Sequence, residues 1–289
     1  MNLRFGCLWS FRNPEWNRVP WQDLYRSHLD LISDSEKLGY DEAWLTEHHF
    51  VDDGYSPSLL PIAGAIDTRT SHIRIGTFLV LLPLHNPVRI AEDTATVDLI
   101  SNGRFDLGVG LGYRLGEFAD QGIPHEERGA RLREGIEIVQ RLLSDEEVTI
   151  DGKFSKLNKI RIVPPALQRP HPPIFMATTS EDGFELCVKN GWGVMLPQAV
   201  PLEIVRQWVE SYRLVCARYD KAYDPASLIL ARGLHLGDDD NHAWGEGGSA
   251  YAEFLRLAQE VAQAPNGEGA RMSFDTSRIG ETAMICGPD

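Results

Sequence analysis

Short apolar runs of strand length alternate along this chain with longer segments in which apolar positions recur every three or four residues. These two periods separate strands buried on both faces from amphipathic helices. The first pair is a strand over residues 3–10 and a helix over 21–38 stopped by Gly39, a residue free to adopt the left-handed conformation of a C-cap. A strand over 42–47, a helix over 57–70 and a strand over 73–82 (IRIGTFLVLL) follow, then a helix from Asn86-Pro87 to Ile100. Pro87 suits the first helical turn, where its missing N–H has no intrahelical partner to lose. Residues 104–110 read as the fourth strand and 128–143 as its helix, with Glu134 and Glu137 among Arg131, Arg133 and Arg141 at pairing distance along a solvated face.

The period changes between 148 and 169, where two short runs flank Asp151-Gly152; this spacing predicts a hairpin on a two-residue Asp-Gly turn, inserted after the fourth helix. Alternation resumes with a strand over 173–179, a helix over 181–190 ended by Gly191, a strand over 192–196, a helix over 202–219 and a strand over 228–236. Residues 238–280 are polar and glycine-rich, a long excursion with one helical stretch over 251–262, and the chain stops at Cys286-Gly287-Pro288-Asp289. Strands separated by helices predict parallel pairing. The expected architecture is therefore a single α/β domain over 1–289, a (β/α)8 TIM barrel whose final strand and helix are missing from this sequence.

Composition narrows the function classes. With 289 residues, 43% of them hydrophobic and 24% charged, the chain fits a globular domain with a large core. A net charge of −14 without any basic stretch lacks the electrostatic footprint for nucleic acid or anionic membrane. A phosphate would thus have to be held locally, by amides, hydroxyls and a helix start. No apolar run reaches the roughly 18 residues of a membrane span, and MNLRFGCLWS lacks the parts of a secretory signal. Cys7, Cys187, Cys216 and Cys286 are scattered without CxxC spacing, which argues against a zinc ribbon or disulfide framework and for reduced thiols in the cytoplasm.

Reactive groups of a (β/α) barrel lie at the C-terminal ends of its strands. The second strand ends in Glu47-His48-His49-Phe50. Imidazoles there can serve as acid or base near neutral pH, or as hydrogen-bonded packing groups. Strand alternation sends His48 and His49 to opposite sides, and without His-x-His spacing no metal site is expected. The fourth strand ends in Gly108-Val109-Gly110-Leu111-Gly112-Tyr113, where glycines admit a planar ligand or phosphate or simply line a turn. After the fifth comes Ala177-Thr178-Thr179-Ser180-Glu181-Asp182-Gly183, either an anion seat or a plain N-cap.

Four segments in this order resemble the bacterial-luciferase-like flavin oxidoreductases over nearly the whole chain: Gly39 through Phe50 (GYDEAWLTEHHF), Ile75-Gly76-Thr77 to Leu82-Pro83 with Asn86-Pro87, Ser101 through Gly110 (SNGRFDLGVG), and Pro172 through Thr179 (PPIFMATT). The resemblance implies a flavin across the barrel mouth, with His48 as the base at its reactive edge. It implies a non-proline cis peptide at Phe78-Leu79 beside the ring and a phosphate near Thr178, Thr179, Ser180 and Asp182, helped by Gly110, Gly112 and Tyr113. Trp9, Glu47 and His49 would face the substrate. Leu111 stands where luciferase has a phosphate-binding arginine, which implies weak retention of oxidised flavin and delivery of reduced flavin mononucleotide (FMN) by a separate flavin reductase. The implied reaction is monooxygenation of a small organic substrate with O2 by a homodimeric enzyme. Two alternatives keep the fold: hydride transfer with a deazaflavin coenzyme, and a non-catalytic flavin-binding barrel.

Overall fold

The computed structural model describes residues 3–262 and 279–287. The chain divides into two compact units, Met1–Gly112 with Glu117–Met176, and Tyr113–Gly116 with Ala177–Asp289. Along the chain as far as Ala177 the elements run β1 (Gly6–Trp9), α1 (Trp21–Lys37), β2 (Glu42–Leu45), α2 (Leu59–Asp67), β3 (Arg74–Thr77), α3 (Pro87–Ile100), β4 (Phe105–Val109), α4 (Leu115–Asp120), α5 (Arg128–Leu143), β5 (Val148–Asp151), β6 (Lys156–Ile160) and β7 (Ile174–Ala177). Strands β1, β2, β3, β4 and β7 pair in parallel in that order, with Gly6 opposite Glu42, Glu42 opposite Arg74, Ile75 opposite Phe105 and Leu107 opposite Ile174. Parallel neighbours need long crossovers, and the helices supply them. β2 and β4 are buried at every position, as strands covered on both faces must be.

One packing contact fixes how closely β2 and β3 approach. The Trp44 ring meets Phe175 and Phe78 edge-on, at centroid distances of 5.9 and 6.5 Å. It also lies over Gly76, where an added Cβ would stand 2.2 Å from the ring. The indole N–H donates to Glu42 Oε2 at 2.9 Å. Nearby, Arg74 donates to both oxygens of Asp106, at 2.7 and 2.6 Å. Burial pushes the carboxyls of Glu42 and Asp106 upward, only partly opposed by the Trp44 hydrogen bond and Arg4 at Glu42 and by Arg74 at Asp106.

Helices α3 and α5 match their sequence ranges, and Asn86 caps α3 through its side chain. The hairpin is present but its turn differs from expectation. β5 and β6 pair antiparallel with Asp151 opposite Lys156, so Gly152 to Ser155 form a four-residue loop closed by the Gly152 amide on the Ser155 carbonyl at 3.0 Å. The cause is Glu134 of α5, whose carboxylate accepts the Lys153 and Phe154 amides at 2.8 and 3.0 Å.

The second unit holds α6 (Glu181–Asn190), β8 (Gly193–Leu196), α7 (Leu202–Arg218), β9 (Leu228–Leu230), β10 (Gly233–Leu236), α8 (Asp240–Ala243), α9 (Ser249–Ala262), α10 (Ile279–Thr282) and β11 (Ala283–Cys286). Gly191 ends α6 at φ 72°, as its sequence position predicts. Residues 228–236, expected as one strand, form two: β9 pairs in parallel with β8, and β10 with β11. Arg232 sits at the break and donates to the Val200 and Thr282 carbonyls. Ala283–Cys286, to which the pattern assigns no element, is thus a further parallel strand. Ala243, Leu255, Ile279, Ala283 and Ile285 form a buried cluster around it. Of the excursion over 238–280, residues 263–278 lie outside the described residues. Among the described residues no helix is long and apolar enough to cross a membrane.

Two predictions follow from these contacts. Gly76→Ala forces a methyl group into the Trp44 ring and should cost about 3 kcal/mol of stability, read as a lowered urea midpoint. Glu36, near the end of α1, accepts the Ser71, His72 and Ile73 amides. Burial works to raise its carboxyl, but those amides hold it below the ordinary carboxylate value. Its stabilisation is therefore present above the unfolded carboxylate pKa and lost as pH falls through the lower folded value. Glu36→Gln should cost about 1 kcal/mol at neutral pH, and the gap to wild type should close towards about pH 3.

Candidate active site

The chain leaves β2 through Thr46 into a tight loop. Phe50, Gly54, Tyr55 and Ser56 all have positive φ there (55°, 89°, 27° and 38°). Such conformations are costly for residues other than glycine and persist where surrounding contacts enforce them. Here the His48 amide donates to the Tyr55 carbonyl at 3.1 Å, the Asn13 amide to the Asp53 carbonyl at 2.7 Å, and the Ser56 hydroxyl to the Ser10 carbonyl at 2.8 Å. Arg12 clamps Asp53 at 2.6 Å and lies 5.1 Å from the centre of the Tyr55 ring.

His48 and His49 part to opposite sides, as alternation predicts. His48 is buried, its ring edge-on to Tyr55 at 4.6 Å and its Nδ1 2.9 Å from Glu117 Oε1. The same oxygen accepts the His49 backbone amide at 2.8 Å. A carboxylate partner requires the hydrogen on Nδ1, so the neutral ring keeps its lone pair on Nε2, the atom suited to receive a proton. Glu117 reaches this place because the next residue, Phe118, is fully buried against Leu81 and Leu84, which docks α4 beside the end of β2. Burial pushes the Tyr55 phenol above its ordinary value, and the Arg12 charge pulls against that.

On the other side, Glu47 Oε1 lies 2.7 Å from His49 Nε2 and 2.7 Å from His85 Nε2, and Oε2 accepts the Leu81 amide at 3.2 Å. Burial would raise the Glu47 carboxyl, but hydrogen bonds and charge from the two imidazoles leave it below its ordinary value. His85 ends the 3-10 turn Leu82–Leu84 that leads into α3.

The peptide Phe78-Leu79 is cis. Leu79 packs on Gly110, where an added Cβ would come within 2.7 Å of its side chain, and Gly112 (φ 71°) faces the Phe118 ring. Leu111 is exposed and Tyr113 half-buried. Trp9, expected with Glu47 and His49 on the substrate side, meets His28 of α1 edge-on at 6.1 Å. In the second unit, Ser180 caps α6 by accepting the Gly183 amide at 3.2 Å, and its own amide donates to Thr178 Oγ1 at 3.3 Å. A Cβ at Gly183 would run into Thr178 Oγ1 at 1.9 Å. Thr179, Ser180 and Asp182 are exposed. Exposed hydroxyls at a capped helix start are groups that can hydrogen-bond a phosphate. Sequence reading missed Glu117 and His85. Neither belongs to a motif, and a buried acid one residue before a core phenylalanine was the only signal for Glu117.

The family model of luciferase-like monooxygenases matches residues 3–284. The chain belongs to the luciferase-like monooxygenase family. Among its relatives in that family, the oxygenase component of the flavin-dependent trigonelline monooxygenase of Acinetobacter baylyi is 28% identical over 228 residues, 77% of this chain and 62% of that protein. The chain thus spans less than two thirds of that relative's length. A crystallised monooxygenase of Streptomyces bottropensis superposes with a TM-score of 0.86 at 29% identity, covering 99% of this chain and 85% of the other. The oxygenating constituent of 3,6-diketocamphane monooxygenase of Pseudomonas putida, solved with FMN, shares the fold at a TM-score of 0.79 and 15% identity, covering 100% and 85%. The luciferase-like (β/α) barrel is therefore the fold class.

The dependence of both histidines on one oxygen is testable. Glu117→Ala leaves the His48 Nδ1–H and the His49 amide without their acceptor and should cost about 2–3 kcal/mol in chemical denaturation. A loss within error of zero would mean that the loop does not depend on this carboxylate.

Proposed function

We propose that this protein is the oxygenase of a flavin-dependent monooxygenase, using reduced FMN and O2 to oxygenate a small organic substrate. The observation that carries the reading is His48, buried at the end of β2 and oriented through Nδ1 by Glu117, in a chain of the luciferase-like family. The residues fit the cofactor's demands. Thr178 and Ser180 at the start of α6 offer hydroxyls for a phosphate, and Gly110 makes room for Leu79 of the cis peptide. When bound, reduced flavin supplies two electrons, so that one oxygen atom enters the substrate and the other leaves as water.

The protein's own contribution is positional. Glu117 holds the His48 ring in the tautomer with an unprotonated Nε2, which accepts a proton from the reacting group and returns it later. Tyr55 of the positive-φ loop packs edge-on against the His48 ring, which is buried. The oxygenase-component relative and the exposed Leu111 support delivery of reduced flavin by a separate reductase. A cytoplasmic homodimer completes the proposal.

His48→Ala should keep the far-UV circular dichroism spectrum and lower turnover by about 100-fold or more, the usual contribution of a positioned acid-base group. Undiminished product formation in this variant would remove His48 from the reaction. Oxygen consumption by the wild type with chemically reduced FMN is the companion measurement. Its absence, with turnover on a reduced deazaflavin, would move the protein to hydride transfer; absence with every donor would make it a non-catalytic flavin-binding barrel.

A further inference from the structure

One cluster at the end of β2 holds neither His48 nor Glu117. Glu47 Oε1, His49 Nε2 and His85 Nε2 converge within 4.8 Å of one another. The first two residues come from the end of β2, and His85 from the turn before α3. Two imidazoles and a carboxylate make a ligand set suited to borderline divalent ions, with bonds of about 2.0–2.2 Å to zinc. The two 2.7 Å separations from Oε1 to the imidazole nitrogens are slightly shorter than the edges of such a coordination sphere, so small outward movements of the rings admit an ion. The rings are tilted by 54° with centroids 6.0 Å apart, so their Nε2 atoms meet without stacking.

The surroundings favour a cation further. Glu47 Oε2 is already oriented by the Leu81 amide at 3.2 Å, the kind of outer contact that fixes a metal-binding carboxylate. Exposure of the side chains rises from 2% at Glu47 to 13% at His49 and 29% at His85, so the site is closed below and open on one side. A cavity of about 200 Å³ lined by Asn86, Arg131 and Glu134 shares the most exposed ligand, His85, with the cluster. The net charge of −14 adds a field that draws cations inward.

We propose that Glu47, His49 and His85 form a binding site for one divalent transition-metal ion of the zinc class. The ion replaces the two Nε2 protons, which move to Nδ1 or leave to solvent. It ties the end of β2 to the turn before α3. The inference does not rest on the flavin reading, because the same three side chains would bind the ion without cofactor or substrate.

The test uses the full chain, stripped with a chelator and free of flavin. Titration with Zn2+ against a chromophoric competitor should saturate at one ion per chain and raise the thermal midpoint. His49→Ala and His85→Ala should each weaken binding at least about tenfold. His85→Gln retains a hydrogen-bonding group beside Glu47 but offers no imidazole, so weakened binding in this variant, with its unliganded midpoint unchanged, separates a lost ligand from a damaged fold. His242, which lies near Asp238 and Glu246 on the surface of the second unit, is the control, and His242→Ala should leave affinity unchanged. Co2+ in place of Zn2+ should give visible d–d absorption that is absent in the His49→Ala, His85→Ala double variant. Zinc affinity equal in wild type and double variant, or lost in His242→Ala, would overturn the site.

Discussion

Two carboxylates taken out of water set the terms at the end of β2. The side chains of Glu47 and Glu117 are 2% and 0% exposed, and moving such a group from water costs several kcal/mol unless donors replace the lost hydration. Those donors come from the histidine pair and its neighbours: the His48 ring and His49 amide for Glu117, and the His49 ring, His85 ring and Leu81 amide for Glu47. Each carboxylate therefore holds segments that are far apart in sequence. The segment 47–49 cannot shift without leaving a buried oxygen uncovered, which is why a loop with four positive-φ residues can be a fixed part of the molecule.

The side each residue takes is inherited from β2. Trp44 lies against Gly76 and Phe175, and two-residue periodicity carries that face through Thr46 to His48. Leu45 and Glu47 belong to the opposite face. Register then assigns Trp9, which lies opposite Leu45, to the helix-facing side, where it meets His28. Trp9 thus shares a face with Leu45 and Glu47 and not with His48.

The same physics decides what could be read from sequence. Helices α5 and α6 match the expected 128–143 and 181–190 to the residue, because caps, glycine stops and period are local signals. The separation of His48 from His49 is local too. The hairpin turn was misread because Glu134, on another element, accepts the amides of the loop and lengthens it. The run 228–236 contains enough apolar residues for one strand, yet Arg232 turns to carbonyls at 200 and 282, contacts absent from any local window. Glu117 and His85 carry no motif. They matter only because α4 and the turn before α3 bring them to β2, and what brings Glu117 there is a neighbour, Phe118, whose burial looks like ordinary core.

The division of labour between adjacent histidines rests on the His49 peptide unit. Its amide shares Glu117 Oε1 with the His48 ring, while its own ring reaches Glu47 on the far side. The His49 residue therefore touches both acids, Glu117 through its amide and Glu47 through its ring. Two buried acids thus hold opposite faces of a single tripeptide. A one-residue slip of β2 would exchange the faces of both rings and leave each acid facing the wrong donor, so the register of β2 and the pairing of each acid with its imidazole are parts of one constraint.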